Sequence, residues 1–183
     1  MFIETVSTPN PNTLKFIPGC DVLPGSTREY KNPIEAEESP LAAKIFLIDG
    51  VSGVFFSDDF ITVTKTAYEW SQLKPIILGE IMDHFLSEKP LIDGVSQDKQ
   101  VEFFDPKDSE TVDKIKDLIQ TRVRPAVAHD GGDITFQGFK SGTVYLNLQG
   151  ACAGCPSSTM TLKNGIENLL KHYIPEVMEV EAI

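Results

Sequence analysis

DITFQGFKSGTVYLNLQGACAGCPSSTMTLKNGIENLL, residues 133–170, decides how the second half of this chain folds. Its first part alternates. Ile134 and Phe136 share one face, as do Val144, Leu146 and Leu148, which predicts two half-buried strands. The Lys140-Ser141-Gly142 step between them suits a hairpin turn. Then the period changes. Leu162, Ile166, Leu169 and Tyr173 recur at three- and four-residue spacings, so a helix with one apolar face follows. Pro175 stops it, and residues 176–183 alternate again as a last, partly exposed strand. Cys152 and Cys155 fall in the short loop where the hairpin gives way to the helix.

Working outward, Val112, Ile115, Ile119 and Val123 predict a helix from Ser109, kinked at Pro125 and ended by Gly131–Gly132. Residues 89–108 lose periodicity and gain Pro, Gly and Asp, as a linker would. The chain before them is a second mixed segment. TLKFI (13–17) predicts a strand and is followed by a Pro/Gly-rich loop. SPLAAKIFLID (39–49) predicts a helix with Ser39 as N-cap and Pro40 in the first turn. VSGVFFS and FITVTK predict a hairpin. Residues 68–88 predict an amphipathic helix on Leu73, Ile76, Ile77, Ile81 and Phe85, with Pro75 in its first turn or at a kink. The expected fold class is α+β: two small α/β-layer domains, 1–88 and 109–183, each a short, mostly antiparallel sheet packed against helices.

Composition narrows the function. Hydrophobic residues make up 41% and charged residues 23% of the 183, which is enough apolar material for two modest cores. No apolar run approaches the roughly 20 residues of a membrane span. The net charge of −11 argues against nucleic-acid and anionic-membrane partners, which need a cationic surface. Three cysteines, an odd number with one close pair, do not resemble a secreted disulfide framework; they fit a reducing compartment. The start of the chain lacks the pattern of a secretory or organelle presequence. The expected location is the bacterial cytoplasm, or the mitochondrial matrix if a presequence has been removed.

The cysteine loop admits several chemistries. Gly150 and Gly154 allow a tight turn, and Pro156 marks the helix start, so the positive end of that helix faces the sulfurs and favours thiolate. A thioredoxin-like dithiol also begins a helix, but within a βαβ pattern rather than after an antiparallel hairpin. Structural zinc wants four ligands in one chain. A second CxxC is lacking, and His129 and His172 read as surface or helix-end residues. A buried pair without a task leaves the two glycines unexplained. An iron–sulfur cluster takes four thiolates, and two copies of this loop meeting across a two-fold axis would supply them. Cys20 sits in a loop with no partner and reads as an incidental thiol. In HDGGD (129–133) the glycines read as the turn from helix to strand. Arg122 and Arg124 read as a solvated helix face.

VRPAVAHDGGDITF and GTVYLNLQGACAGCPSSTMTLKNGIENLLKHYIPEV together resemble the C-terminal domain of NifU, which defines the Nfu family. TPNPNTLKFIPG, SPLAAKIFLIDGVSGVFFSDDFITVTK and WSQLKPIILGEIMDHF resemble the Nfu N-terminal domain. The order of the two resembles the mitochondrial and alphaproteobacterial branch. This resemblance implies a non-enzymatic iron–sulfur cluster carrier. It implies that Cys152 and Cys155 ligate a [4Fe–4S] cluster bridging two subunits, which is passed to recipient apo-proteins. Four thiolates also accommodate [2Fe–2S]. The implied partners are apo iron–sulfur clients, upstream assembly proteins and a second copy of the chain. The first domain would help recognise clients or assembly factors.

Overall fold

A computed structural model describes residues 1–94, 101–154 and 156–183. The chain divides into two compact units, Met1–Gln97 and Asp98–Ile183.

The first unit is a five-stranded antiparallel sheet in the order β1-β2-β5-β4-β3, with two helices. Its strands are β1 (Glu4–Ser7), β2 (Thr13–Ile17), β3 (Arg28–Tyr30), β4 (Val51–Phe56) and β5 (Ile61–Lys65). The expected hairpin is β4–β5, in register from Val54↔Val63 to Phe56↔Ile61. Helix α1 (Pro40–Phe46) begins as expected: the Ser39 hydroxyl accepts from Ala42 N at 3.2 Å. In helix α2 (Trp70–Leu86) Pro75 is the sixth residue, so of the two expected places it does not take the first turn. Tertiary packing outweighs the local cost of a missing N–H: Leu73, Ile77 and Ile81 of this helix are buried in the same core as Phe16, Leu41, Ile45 and Phe56. Strand β3 lies inside the stretch read as loop. Its Arg28 and Tyr30 both donate to Glu38 Oε1, at 2.7 and 3.0 Å. Leu91 packs on this core, and Asp93 N donates to Glu38 O.

The second unit is built on the long hairpin β7 (Gly132–Lys140) and β8 (Thr143–Gly150). Ser141 and Gly142 turn it with φ of 51° and 85°, the left-handed pair of a type I′ turn. A short strand is added in parallel at each side. β6 (Phe103–Phe104) pairs with β7, and β9 (Glu179–Ala182) pairs with β8. At Gly138 the β6 contact requires the absence of a side chain, because a Cβ there would run into the Phe103 ring. Before the hairpin, the expected kinked helix is two helices. α3 (Ser109–Leu118) passes through a π-helical turn, residues 119–123, into α4 (Arg124–His129). Pro125 therefore sits at the start of α4, where it needs no N–H partner. After the hairpin, α5 (Pro156–Tyr173) begins at the proline, as expected. Val112, Ile115, Ile134, Leu146, Leu170 and Val180 meet in a core that also holds Cys152.

The two sheets and their helices are the α+β layers that the sequence predicts.

Candidate functional site

Three connections converge on Cys152. The first is the exit from α4. Gly131 takes φ of 84° and its N–H donates to Ala128 O at 3.1 Å, closing the helix. Gly132 then opens β7 and pairs with Gly150, the last residue of β8. The HDGGD stretch is thus the helix-to-strand turn that the sequence suggests, but it is also one wall of the cysteine loop. The second connection is the loop itself. Gly150 and Gly154 adopt φ of 65° and 77°, which side-chain-bearing residues rarely take. Ala151 N donates to Gly131 O and Ala153 N donates to Gly150 O, both at 3.1 Å. The third is the first turn of α5, where the Thr159 hydroxyl donates to Cys152 O at 3.2 Å.

Cys152 is 7% exposed. Its environment differs from the one expected at a helix N-terminus. Burial, followed by the negative charges of Asp130 and Asp133, pushes its thiol up to about 12. Desolvation and two carboxylates both oppose the thiolate there. Cys155 lies outside the described residues. Among the described residues no group of three or more His, Cys, Asp or Glu is placed to hold a metal. Cys20 is exposed, in the loop after β2. His129 and His172 are both exposed, as surface or helix-end residues would be.

One feature of the wall was not legible in the sequence. Arg124 Nε and Nη2 donate to the two carboxylate oxygens of Asp133, each at 2.8 Å, and Nη1 donates to Gln120 Oε1 at 2.7 Å. Asp133 is 3% exposed. Arg124 thus fastens the start of β7 to α4 rather than forming a solvated face. Such bidentate pairing fixes geometry as well as charge. Arg122 stacks its guanidinium 5.2 Å from the Tyr173 ring centre. The available signal was an Arg and an Asp flanking a Gly-Gly turn, which by itself does not tell a pair from two solvated charges.

Residues 3–88 match the family described as "Scaffold protein Nfu/NifU N terminal", and residues 115–181 match "NifU-like domain". A human protein named "NFU1 iron-sulfur cluster scaffold homolog, mitochondrial" is 51% identical over 185 residues, covering 100% of this chain and 72% of the relative. The chain belongs to the Nfu/NifU family. A relative of the same name from Drosophila sechellia is 49% identical; the chain spans 65% of its length. A solution structure of a NifU-like protein from Saccharomyces cerevisiae is 32% identical, with a TM-score of 0.47. That match covers 52% of this chain and 87% of the yeast chain. The family membership read from the sequence is borne out over both units. Cys152 lies inside the NifU-like match. No helix among the described residues is long and apolar enough to cross a membrane.

Proposed function

We propose that this chain is an iron–sulfur cluster scaffold and carrier rather than an enzyme. Its cargo is a labile [4Fe–4S] cluster held between two copies by Cys152 and Cys155 of each and delivered to recipient apo-proteins. The observation that carries this reading is the position of Cys152. It is a soft sulfur donor at the β8–α5 junction of a NifU-like domain, with no group of metal-ligating side chains about it among the described residues to complete a site. A second copy of the loop supplies the missing donors. The curated relatives with matching sequence carry "iron-sulfur cluster scaffold" in their names.

The donor chemistry fits such cargo. Cysteine binds iron as thiolate, so loading releases the thiol proton. A site completed only by pairing encloses its cargo little and parts with it when the copies separate. Residues 1–88 form the domain that meets clients or upstream assembly factors, 89–108 the linker, and 109–183 the cluster-binding domain. The site of action is the mitochondrial matrix, the names of the relatives carrying the word "mitochondrial", or the bacterial cytoplasm.

Anaerobic reconstitution with iron and sulfide, followed by Mössbauer spectroscopy with iron counted per dimer, tests the reading. The expected result is four irons per dimer, with dimerisation coupled to loading. Loaded protein that runs strictly as a monomer ends the shared-cluster scheme. Catalytic disulfide exchange between Cys152 and Cys155 without iron would establish a dithiol oxidoreductase instead.

A further inference from the structure

The β7–β8 pairing is closed at its open end by two glycines, Gly132 and Gly150, in register with each other. Gly150 is explained by its left-handed backbone, with φ of 65°. Gly132 is explained by space. A methyl group at position 132 would stand 2.6 Å from Cys152 Sγ, 3.1 Å from Cys152 Cβ and 2.7 Å from Gln149 O. These distances lie inside van der Waals contact, so the Cys152 side chain and the Gln149 carbonyl together occupy the volume that any other residue at 132 would fill.

We propose that Gly132 is a positioning residue for Cys152: the side chain it lacks leaves a seat in which the thiol rests while the chain is empty. This rests on the reading of Cys152 as a ligand to the cargo. Two further observations support it. The floor of the seat is held firmly, by Ala151 N bonded to Gly131 O and by the bidentate Arg124–Asp133 pair one residue along β7. Among the described residues an added Cβ at Gly154 would meet nothing within 4 Å, so that glycine serves the backbone turn, with φ of 77°, rather than close packing. A thiol that is 7% exposed cannot bridge to a second copy from where it lies. It reaches the cargo by a turn of the 150–154 loop about its two left-handed glycines, and the empty seat receives it again when the cargo leaves.

The test uses the full, reduced, metal-free chain, iodoacetamide and peptide-resolved mass spectrometry, with the exposed Cys20 as internal reference. In the unsubstituted chain, Cys152 should alkylate at least about tenfold more slowly than Cys20. Gly132→Ala should bring Cys152 to within about threefold of Cys20. Gly138→Ala perturbs the same strand but meets the Phe103 ring instead of the cysteine, so it should leave Cys152 slow. Equal rates for Cys152 and Cys20 in the unsubstituted chain overturn the proposal, as does an unchanged slow rate in folded Gly132→Ala. Should Gly132→Ala fail to fold, the unsubstituted chain decides in low urea. Opening by loop movement gives a Cys152 rate that stays nearly flat below the unfolding transition. A rate that rises only in step with global unfolding overturns the proposal. Cluster loading of Cys152→Ser separates this from the reading it rests on. A protected Cys152 whose serine variant still loads keeps the seat and ends the ligand assignment, and an unprotected Cys152 whose serine variant fails to load does the reverse.

Discussion

The two units solve the same problem with different margins. In the first, the hydrophobic side of a continuous antiparallel sheet is met by two helices, and its core is filled by large side chains such as Phe16, Tyr30 and Phe56. Tyr30 and Phe56 pack edge to face at 5.7 Å. In the second, the sheet is one long hairpin with short parallel additions. The helix before it contains a π-turn, and the hairpin's open end is made of glycines. Its core accepts a cysteine where the first has only hydrocarbon and rings. The first unit has its own local exceptions, such as Pro75 inside α2, but none is gathered about a cysteine. In the second, the left-handed Gly131, Gly150 and Gly154 and the side-chain-free Gly132 all lie around the Cys152 loop, as expected where function competes with stability.

The largest expected effect breaks that contrast at the cysteines. Cys152→Ser and Cys155→Ser should each abolish stable cluster loading, since one change removes two of four donors from a pair. Cys20→Ser should load normally. Visible absorption and iron content after anaerobic reconstitution check this, and full loading by either serine variant of the pair would refute the assignment.

Core truncation comes next. Phe56→Ala empties a fully buried aromatic position and should cost about 3–5 kcal/mol in urea denaturation. A loss under about 1 kcal/mol would mean that the first core is looser than its burial indicates. Arg124→Ala removes the bidentate partner of the buried Asp133. It should cost about 2 kcal/mol, less than a fully buried pair because the arginine is one-third exposed. Arg124→Lys keeps the charge and loses the fork, so it should recover only part of that. Full recovery by lysine would show that charge, not geometry, holds the wall.

Ser39→Ala should cost about 1–2 kcal/mol. The hydroxyl both caps α1 and donates to Leu91 O at 2.6 Å, and Ser39 is fully buried. A change within about 0.3 kcal/mol would count against the cap.

The smallest expected effect is a pH slope from His84. Burial first, then the charges of Lys44 and Lys89, hold this imidazole below its ordinary value of 6.5; Asp83 pulls the other way. The unfolded chain therefore takes up the proton first as pH falls. Stability is unaffected by this group above about 6.5 and declines below it, until the folded imidazole also protonates. Melting temperatures between pH 7.5 and 5.5 should fall less steeply in His84→Gln than in the unsubstituted chain. Parallel slopes would remove His84 as the cause.

What was legible in the chain was what neighbours along it determine. The alternation of Ile134 and Phe136, the switch to helical spacing at Leu162, the cap at Ser39 and the turn at Ser141-Gly142 each depend on a few adjacent residues. Strand β3 was hidden because Arg28–Tyr30 has no periodicity of its own; its partners are β4 and Glu38, which lie beyond any local window. Pro75 falls past the first turn of α2, where the burial of that helix overrides a local cost. At the site, the cysteine pair and its glycines marked the place, and resemblance supplied the family. The state of Cys152 could not be read there. Helix position predicts a thiolate, while the folded chain buries the sulfur against Gly132 beside two carboxylates.

The sequence by itself therefore determined most of the elements, the two-layer class, the family and the location of the candidate ligands, because periodicity, caps and turn residues act over a few positions. Only the tertiary structure decided that Arg124 clamps Asp133, that Gly132 makes room for a sulfur twenty residues away, and that Cys152 rests inside the core, where burial and two carboxylates push its thiol up. Those outcomes depend on desolvation and on which charges lie within a few ångströms, and both quantities exist only once distant segments have packed.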